Sequence, residues 1–145
     1  GPGVSRTRLP ALTPELQVSD LQDSLAFYQQ VLGFNLLYQR PEDGFAAIVL
    51  GEAALMLEQI APHARPDDPW TIQPLDRPLG RGINLQIDVA DLQPLYQALL
   101  ANDVPLRLPP ETVEYRIGDS WIRVHQLMIQ DPDGYLLRFS QVLDR

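Results

Sequence analysis

Thr13-Pro-Glu-Leu-Gln-Val18 and Gly82-Ile-Asn-Leu-Gln-Ile87 share Leu-Gln followed by a β-branched residue, at an offset of 69. Asp-Leu-Gln follows in both places, as Asp20-Leu21-Gln22 and Asp91-Leu92-Gln93. Tyr28-Gln29 then matches Tyr96-Gln97 and Leu32 matches Leu100 at an offset of 68. The ends agree as well: Ala54-Leu-Met-Leu-Glu-Gln-Ile60 lies over Leu136-Leu-Arg-Phe-Ser-Gln-Val142 at an offset of 82, with Gln59 over Gln141. Self-similarity with a period of about half the chain identifies a duplicated module, and it decides the fold before any single element is assigned.

Each half reads as strand, helix, then further strands. Residues 15–18 alternate polar and apolar, as a half-buried strand does. Ser19 or Asp20 caps the helix that follows, and Leu21, Leu25, Tyr28 and Leu32 fall on one helical face before Gly33 stops it. Residues 36–40, 46–50 and 54–60 form three short strands, separated by Pro41-Glu-Asp-Gly44 and Gly51-Glu52. In the second half the pattern predicts a strand over 82–88, a helix over 91–102, and strands near 105–108, 121–130 and 135–142. Asp131-Pro-Asp-Gly134 marks a tight turn before the last strand.

These boundaries divide the chain into a tag remnant and arm (1–8), a first module (9–60), a proline-rich connection (61–81) and a second module (82–145), together one structural domain. With 145 residues, 45% of them hydrophobic and 21% charged, the chain belongs among ordinary globular proteins. No apolar run approaches the roughly 20 residues of a membrane span and no signal pattern opens the chain, so a soluble, cytoplasmic protein is expected. The net charge of −8 disfavours nucleic acid as a partner. The absence of cysteine excludes disulfides, thiolate metal sites and Cys nucleophiles. The only histidines are His63 and His125, and no serine has the His-plus-acid context of a hydrolase.

The βαβββ repeat, the opening Leu16-Gln-Val-Ser-Asp-Leu-Gln-Asp-Ser-Leu-Ala-Phe-Tyr-Gln-Gln-Val-Leu-Gly-Phe34 and the closing Asp131-Pro-Asp-Gly-Tyr135 resemble the vicinal oxygen chelate superfamily. That group includes glyoxalase I, extradiol dioxygenases, fosfomycin-modifying enzymes and bleomycin-resistance proteins. The resemblance covers nearly all of residues 9–143. It implies an α+β fold: two βαβββ modules forming half-barrel sheets with helices on the convex side, paired in a homodimer, with ligand held on the concave faces. It also implies where a catalytic metal would sit, and those positions fall on Thr13, Met56, Gly82 and Arg138. A hydroxyl, a thioether, a glycine and a guanidinium are not a donor set for a hard divalent cation. No metal, cofactor or catalytic residue is therefore expected.

Strand alternation supplies what the concave faces offer instead. With Leu16 and Val18 under the helix, Thr13, Glu15 and Gln17 face the cavity; with Ile83, Leu85 and Ile87 beneath, so do Gly82, Asn84 and Gln86. The closing strands add Met56 and Glu58, and Arg138 with Ser140. Tyr38, Phe45, Trp70, Tyr115 and Trp121 lie outside the helical apolar faces. The expected ligand-binding set is Thr13, Glu15, Gln17, Tyr38, Met56, Glu58, Asn84, Gln86, Trp121 and Arg138. The resemblance then points to a bleomycin-resistance-type protein that sequesters a small molecule, such as a cationic aromatic antibiotic. Two alternatives stand beside it: an enzyme of the same superfamily with a displaced metal site, and a binder of a metabolite unrelated to antibiotics.

Overall fold

A computed structural model of the chain describes residues 8–62 and 66–144; His63 lies outside them. The chain divides into two compact units, one reaching Leu79 and the other starting at Gly80. Each carries a four-stranded sheet, so the fold is α+β with two open sheets.

In the first unit β1 (Glu15–Val18) leads into α1 (Leu21–Ala26) and a π-helical turn (Phe27–Val31); β2 (Asn35–Arg40), β3 (Phe45–Leu50) and β4 (Ala53–Gln59) follow. Asp20 caps α1 by accepting from the Asp23 amide at 3.1 Å. The widened turn, closed by the Leu32 amide on the Phe27 carbonyl, seats Tyr28 in the core, with edge-on ring contacts to Phe27 and Phe34. The sheet order is β1-β4-β3-β2, with β1 parallel to β4 and the other pairs antiparallel. The β2–β3 connection turns at Gly44, whose φ of 62° is the left-handed region open to glycine. Its carbonyl accepts from the Gln59 amide at 2.8 Å.

In the second unit β5 (Asn84–Asp88) precedes α2 (Gln93–Ala101), then β6 (Leu108–Ile117), β7 (Ser120–Gln130) and β8 (Leu136–Asp144), ordered β5-β8-β7-β6. The turn before β8 is built by Asp131, whose Oδ1 accepts from the amides of Asp133 and Tyr135 at 2.9 and 3.0 Å. Two expectations change here. The strand anticipated at 105–108 is a ten-residue strand beginning at Leu108. Pro109 and Pro110 do not end it because β6 is an edge strand, where a missing amide is tolerated, and the register against β7 shifts there. Ile83, expected beneath the helix, precedes β5 and is 58% exposed.

One contact recurs in both units and identifies the helix-covered face of each sheet. Gln59 on β4 accepts from the Leu21 amide at the start of α1 at 2.9 Å. Gln141 on β8 accepts from the Leu92 amide at the start of α2 at 2.8 Å. Each glutamine thus satisfies a helix N-terminal donor that has no intrahelical acceptor. The same sheet faces carry Leu16, Val18, Ile48 and Leu57 in one unit and Ile87, Leu127, Leu137 and Phe139 in the other, all buried.

Replacing Gln141 by Ala is expected to lower stability by about 1 kcal/mol, the usual value of a capping acceptor. A denaturant titration would read this as a lower midpoint with an unchanged slope. An unchanged midpoint would mean the amide at Leu92 needs no side-chain partner.

Candidate functional site

Register places side chains on the sheet face away from α1 in two rows. Glu15, Met56, Ala47 and Tyr38 succeed one another across β1, β4, β3 and β2, and Gln17, Glu58, Phe45 and Arg40 form the next row. Glu15, Gln17, Tyr38, Met56 and Glu58 therefore share one face, as alternation required. Gln17 donates its side-chain amide to Glu58 at 3.4 Å. The Arg40 guanidinium lies 4.1 Å from the centroid of the Phe45 ring, while its Nε pairs with Asp43 at 3.2 Å. Phe45 is buried under that cation, whereas the neighbouring Tyr38 ring is 36% exposed.

Electrostatics mark this face. The Glu15 carboxyl is raised above its ordinary value of 4.5, first by burial and then by the negative charge of Glu58, with Arg40 pulling the other way. A carboxyl raised in part by its neighbour's negative charge gains from any cation that enters between the two. An exposed phenol and a ring already holding a guanidinium show that the same patch accommodates a cation over aromatic carbon.

In the second unit the face away from α2 carries Gln86 beside Arg138 and Asp88 beside Ser140. Arg138 donates from Nε to Asn84 Oδ1 at 3.2 Å, and Gln86 donates to Asp88 at 3.2 Å. Asn84, Gln86 and Arg138 are thus brought together. Sequence reasoning missed the partners across the same sheet: Gln126, 3% exposed, donates from Nε2 to Glu111 at 2.9 Å and to the Tyr115 hydroxyl at 2.7 Å. The Glu111 carboxylate fixes that amide orientation and leaves Gln126 Oε1 buried without a partner. Had β6 been extended past its prolines, alternation would have aligned Glu111 and Tyr115 with this face.

Three anticipated positions stand elsewhere. Thr13 and Gly82 precede β1 and β5; the Thr13 hydroxyl donates to the Pro10 carbonyl at 2.9 Å. Glu15 lies opposite Met56 and Gln86 opposite Arg138, so the quartet Thr13, Met56, Gly82 and Arg138 does not form two facing pairs. Trp121 pairs with Arg116, which puts it on the opposite face of the β6–β7 ribbon from Tyr115 and Ile122; it is 63% exposed. Trp70 is 76% exposed, its amide held by Asp68. His125 also lies on the helix side, near Thr112 Oγ1 at 3.2 Å. Among the described residues no group of three or more His, Asp or Glu side chains is placed to hold a metal ion.

A family model described as the Glyoxalase/Bleomycin resistance protein/Dioxygenase superfamily matches residues 9–139. The chain is 29% identical over 136 residues to the bleomycin resistance protein of Geobacillus stearothermophilus, spanning 88% of this chain and 93% of that one. The bleomycin resistance protein of Staphylococcus aureus (strain MRSA252) matches with the same figures. Among solved structures, a glyoxalase/bleomycin resistance protein/dioxygenase from Alicyclobacillus acidocaldarius shares the fold with a TM-score of 0.64, at 16% identity over 97% of this chain and 96% of that one.

The raised carboxyl of Glu15 has a consequence of definite sign. The folded chain holds that proton more tightly than the unfolded chain, so stability falls as pH rises from 4.5 through the raised value. Glu15→Gln is expected to melt at a higher temperature than the parent at neutral pH, with the advantage fading at acid pH below 4.5. A pH series of thermal melts checks it, and a variant less stable at neutral pH would contradict the assignment.

Proposed function

The chain belongs to the glyoxalase/bleomycin resistance protein/dioxygenase superfamily, and from that premise we propose that it binds and sequesters a small molecule in the manner of a bleomycin-resistance protein. The observation that carries the reading is the Glu15–Glu58 pair on the same sheet face as the exposed Tyr38 ring. A flat cationic antibiotic would place its positive charge between the carboxylates and its aromatic body over the phenol. Gln17 and Met56 complete the contact surface, Met56 through a soft, adaptable side chain. The net charge of −8 favours encounter with a cation. Protection by such a protein is stoichiometric, set by its abundance and its dissociation constant.

The proposal includes a homodimer in the cytoplasm. Each sheet has two edge strands, and isologous pairing of copies is a common way to cover such edges. Asn84, Gln86 and Arg138 enter as polar groups facing ligand in the second unit. No enzymatic step is part of the reading.

Calorimetric titration with metal-free and copper-loaded bleomycin tests it, on protein whose metal content has been measured. A saturable stoichiometric complex is expected with metal-free protein, and the double variant Glu15→Gln, Glu58→Gln should weaken it by about tenfold or more. Affinity should also fall as the solution is acidified through the raised Glu15 value, because a protonated carboxyl no longer attracts the drug's charge. Absence of binding, or binding indifferent to the double variant, would overturn the proposal, and tightly held stoichiometric metal would replace it with an enzyme.

A further inference from the structure

The second unit contains a groove of about 330 Å³, open to solvent and built from that unit alone. Its walls are largely apolar: Ile117, Ile122, Val124 and Val142 come from the β6–β7 hairpin and β8. Polar groups gather on one side, where Arg138, Gln86 and Asp88 line it. The volume falls in the range of small-ligand sites, as does the pattern of apolar walls with a few converging polar atoms.

The polar groups are unequally committed. Arg138 is half-buried, and its one protein hydrogen bond runs from Nε to Asn84 Oδ1. That bond orients the guanidinium and leaves both terminal nitrogens as donors, and among the described residues no carboxylate pairs with it. Asp88 is different: its Oδ1 already accepts from Gln86. Tyr115, which also lines the groove, accepts from Gln126 Nε2 through its hydroxyl oxygen. Because Glu111 fixes the orientation of that amide, the phenolic proton of Tyr115 is not spent on Gln126. Two donors with unfilled valence therefore look onto an apolar trough.

We propose that this groove is a binding site for a small monocarboxylate with an apolar or aromatic body, its carboxylate held by the Arg138 guanidinium and its body lying along Ile117, Ile122 and Val142. A planar guanidinium already fixed at Nε presents two parallel N–H groups to two carboxylate oxygens, the geometry of the strongest charge-assisted pairs. Tyr115 supplies a further donor at the border between the polar end and the apolar wall. Asp88 sets the selectivity: a second negative charge on the ligand would meet it, so dicarboxylates are excluded and monoanions accepted. The assignment rests on the reading of Asn84, Gln86 and Arg138 as groups facing ligand and names the ligand class they take; it does not use the Glu15–Glu58 face, which belongs to the other unit and favours the opposite charge.

The test uses 1-naphthaleneacetate and its methyl ester, equal in aromatic body and different in charge, titrated into the whole protein with intrinsic fluorescence and backbone amide shifts as readouts. Saturable binding of the acid is expected, with shifts confined to β5, β8 and the β6–β7 hairpin, and affinity for the ester lower by about tenfold or more. Arg138→Gln should remove the discrimination between acid and ester, Arg138→Lys should keep part of it, and Glu15→Gln with Glu58→Gln should leave it unchanged. Should Arg138→Gln fail to fold, Asn84→Ala, which frees the guanidinium without removing it, is expected to weaken the acid and spare the ester. Equal affinity for acid and ester in the parent protein, no binding of either, or shifts outside the second unit would each overturn the assignment.

Discussion

A one-residue slip of β1 against β4 would carry Glu15 and Gln17 under α1 and turn Leu16 and Val18 outward. The structure depends on that slip being forbidden. Burial of Leu16 and Val18 is worth about 1.5–3 kcal/mol each, and burying an unpaired carboxylate in exchange would cost several more. Parallel pairing of the first and last strands of each unit is thereby locked to a single parity, and the glutamine on the last strand agrees with it by reaching the helix start. Everything on the open faces follows from this. The carboxylates come together because the leucines beneath them cannot move.

Much of this was legible in the residues. The repeat announced two copies, and alternation assigned Glu15, Gln17, Met56 and Glu58 to one face and Gln86 and Arg138 to another. The same-face assignments hold even though the alignment of the first strands was two residues out: Glu15 corresponds in register to Gln86, not to Asn84. A two-residue error preserves parity while displacing position, which is why the faces were right and the quartet was not. The sequence held a correction, since Asp20-Leu21-Gln22 and Asp91-Leu92-Gln93 are separated by the structural spacing. Gln59 over Gln141 was visible too, but nothing in a sequence tells that a strand's last glutamine caps a helix remote in the chain.

Other features were hidden for identifiable reasons. Pro109-Pro110 resembles a strand breaker unless the strand is known to lie at an edge, and edge position is a property of the assembled sheet. Once the strand was cut short, Glu111 and Gln126 went unnamed as site residues, and Tyr115 stood as an aromatic of the cleft without its partners. Trp121 was singled out for its chemistry, although alternation along β7 sets it with His125 and not with Gln126. The raised carboxyl of Glu15 is likewise a product of assembly, since it comes first from burial in the folded chain and then from Glu58, which lies on β4 and reaches it only through the pairing of β1 with β4.

The two hairpins separate the copies. Arg40 pairs with Phe45 across residues 41–44, whereas Glu111, its counterpart, pairs with Gln126 across residues 112–125. The added length sits at the hairpin tip, the one place where a duplicated half can grow without disturbing its parallel pair or its helix cap. Tyr115, Ile117 and Ile122 all come from that insertion. Two halves of common design are thus made chemically unlike by the longer hairpin together with exchanges on the paired strands, such as Arg138 where the first half has Met56. In terms of descent, such an extension lets a duplicated module acquire a binding surface its sibling lacks while both keep the same scaffold.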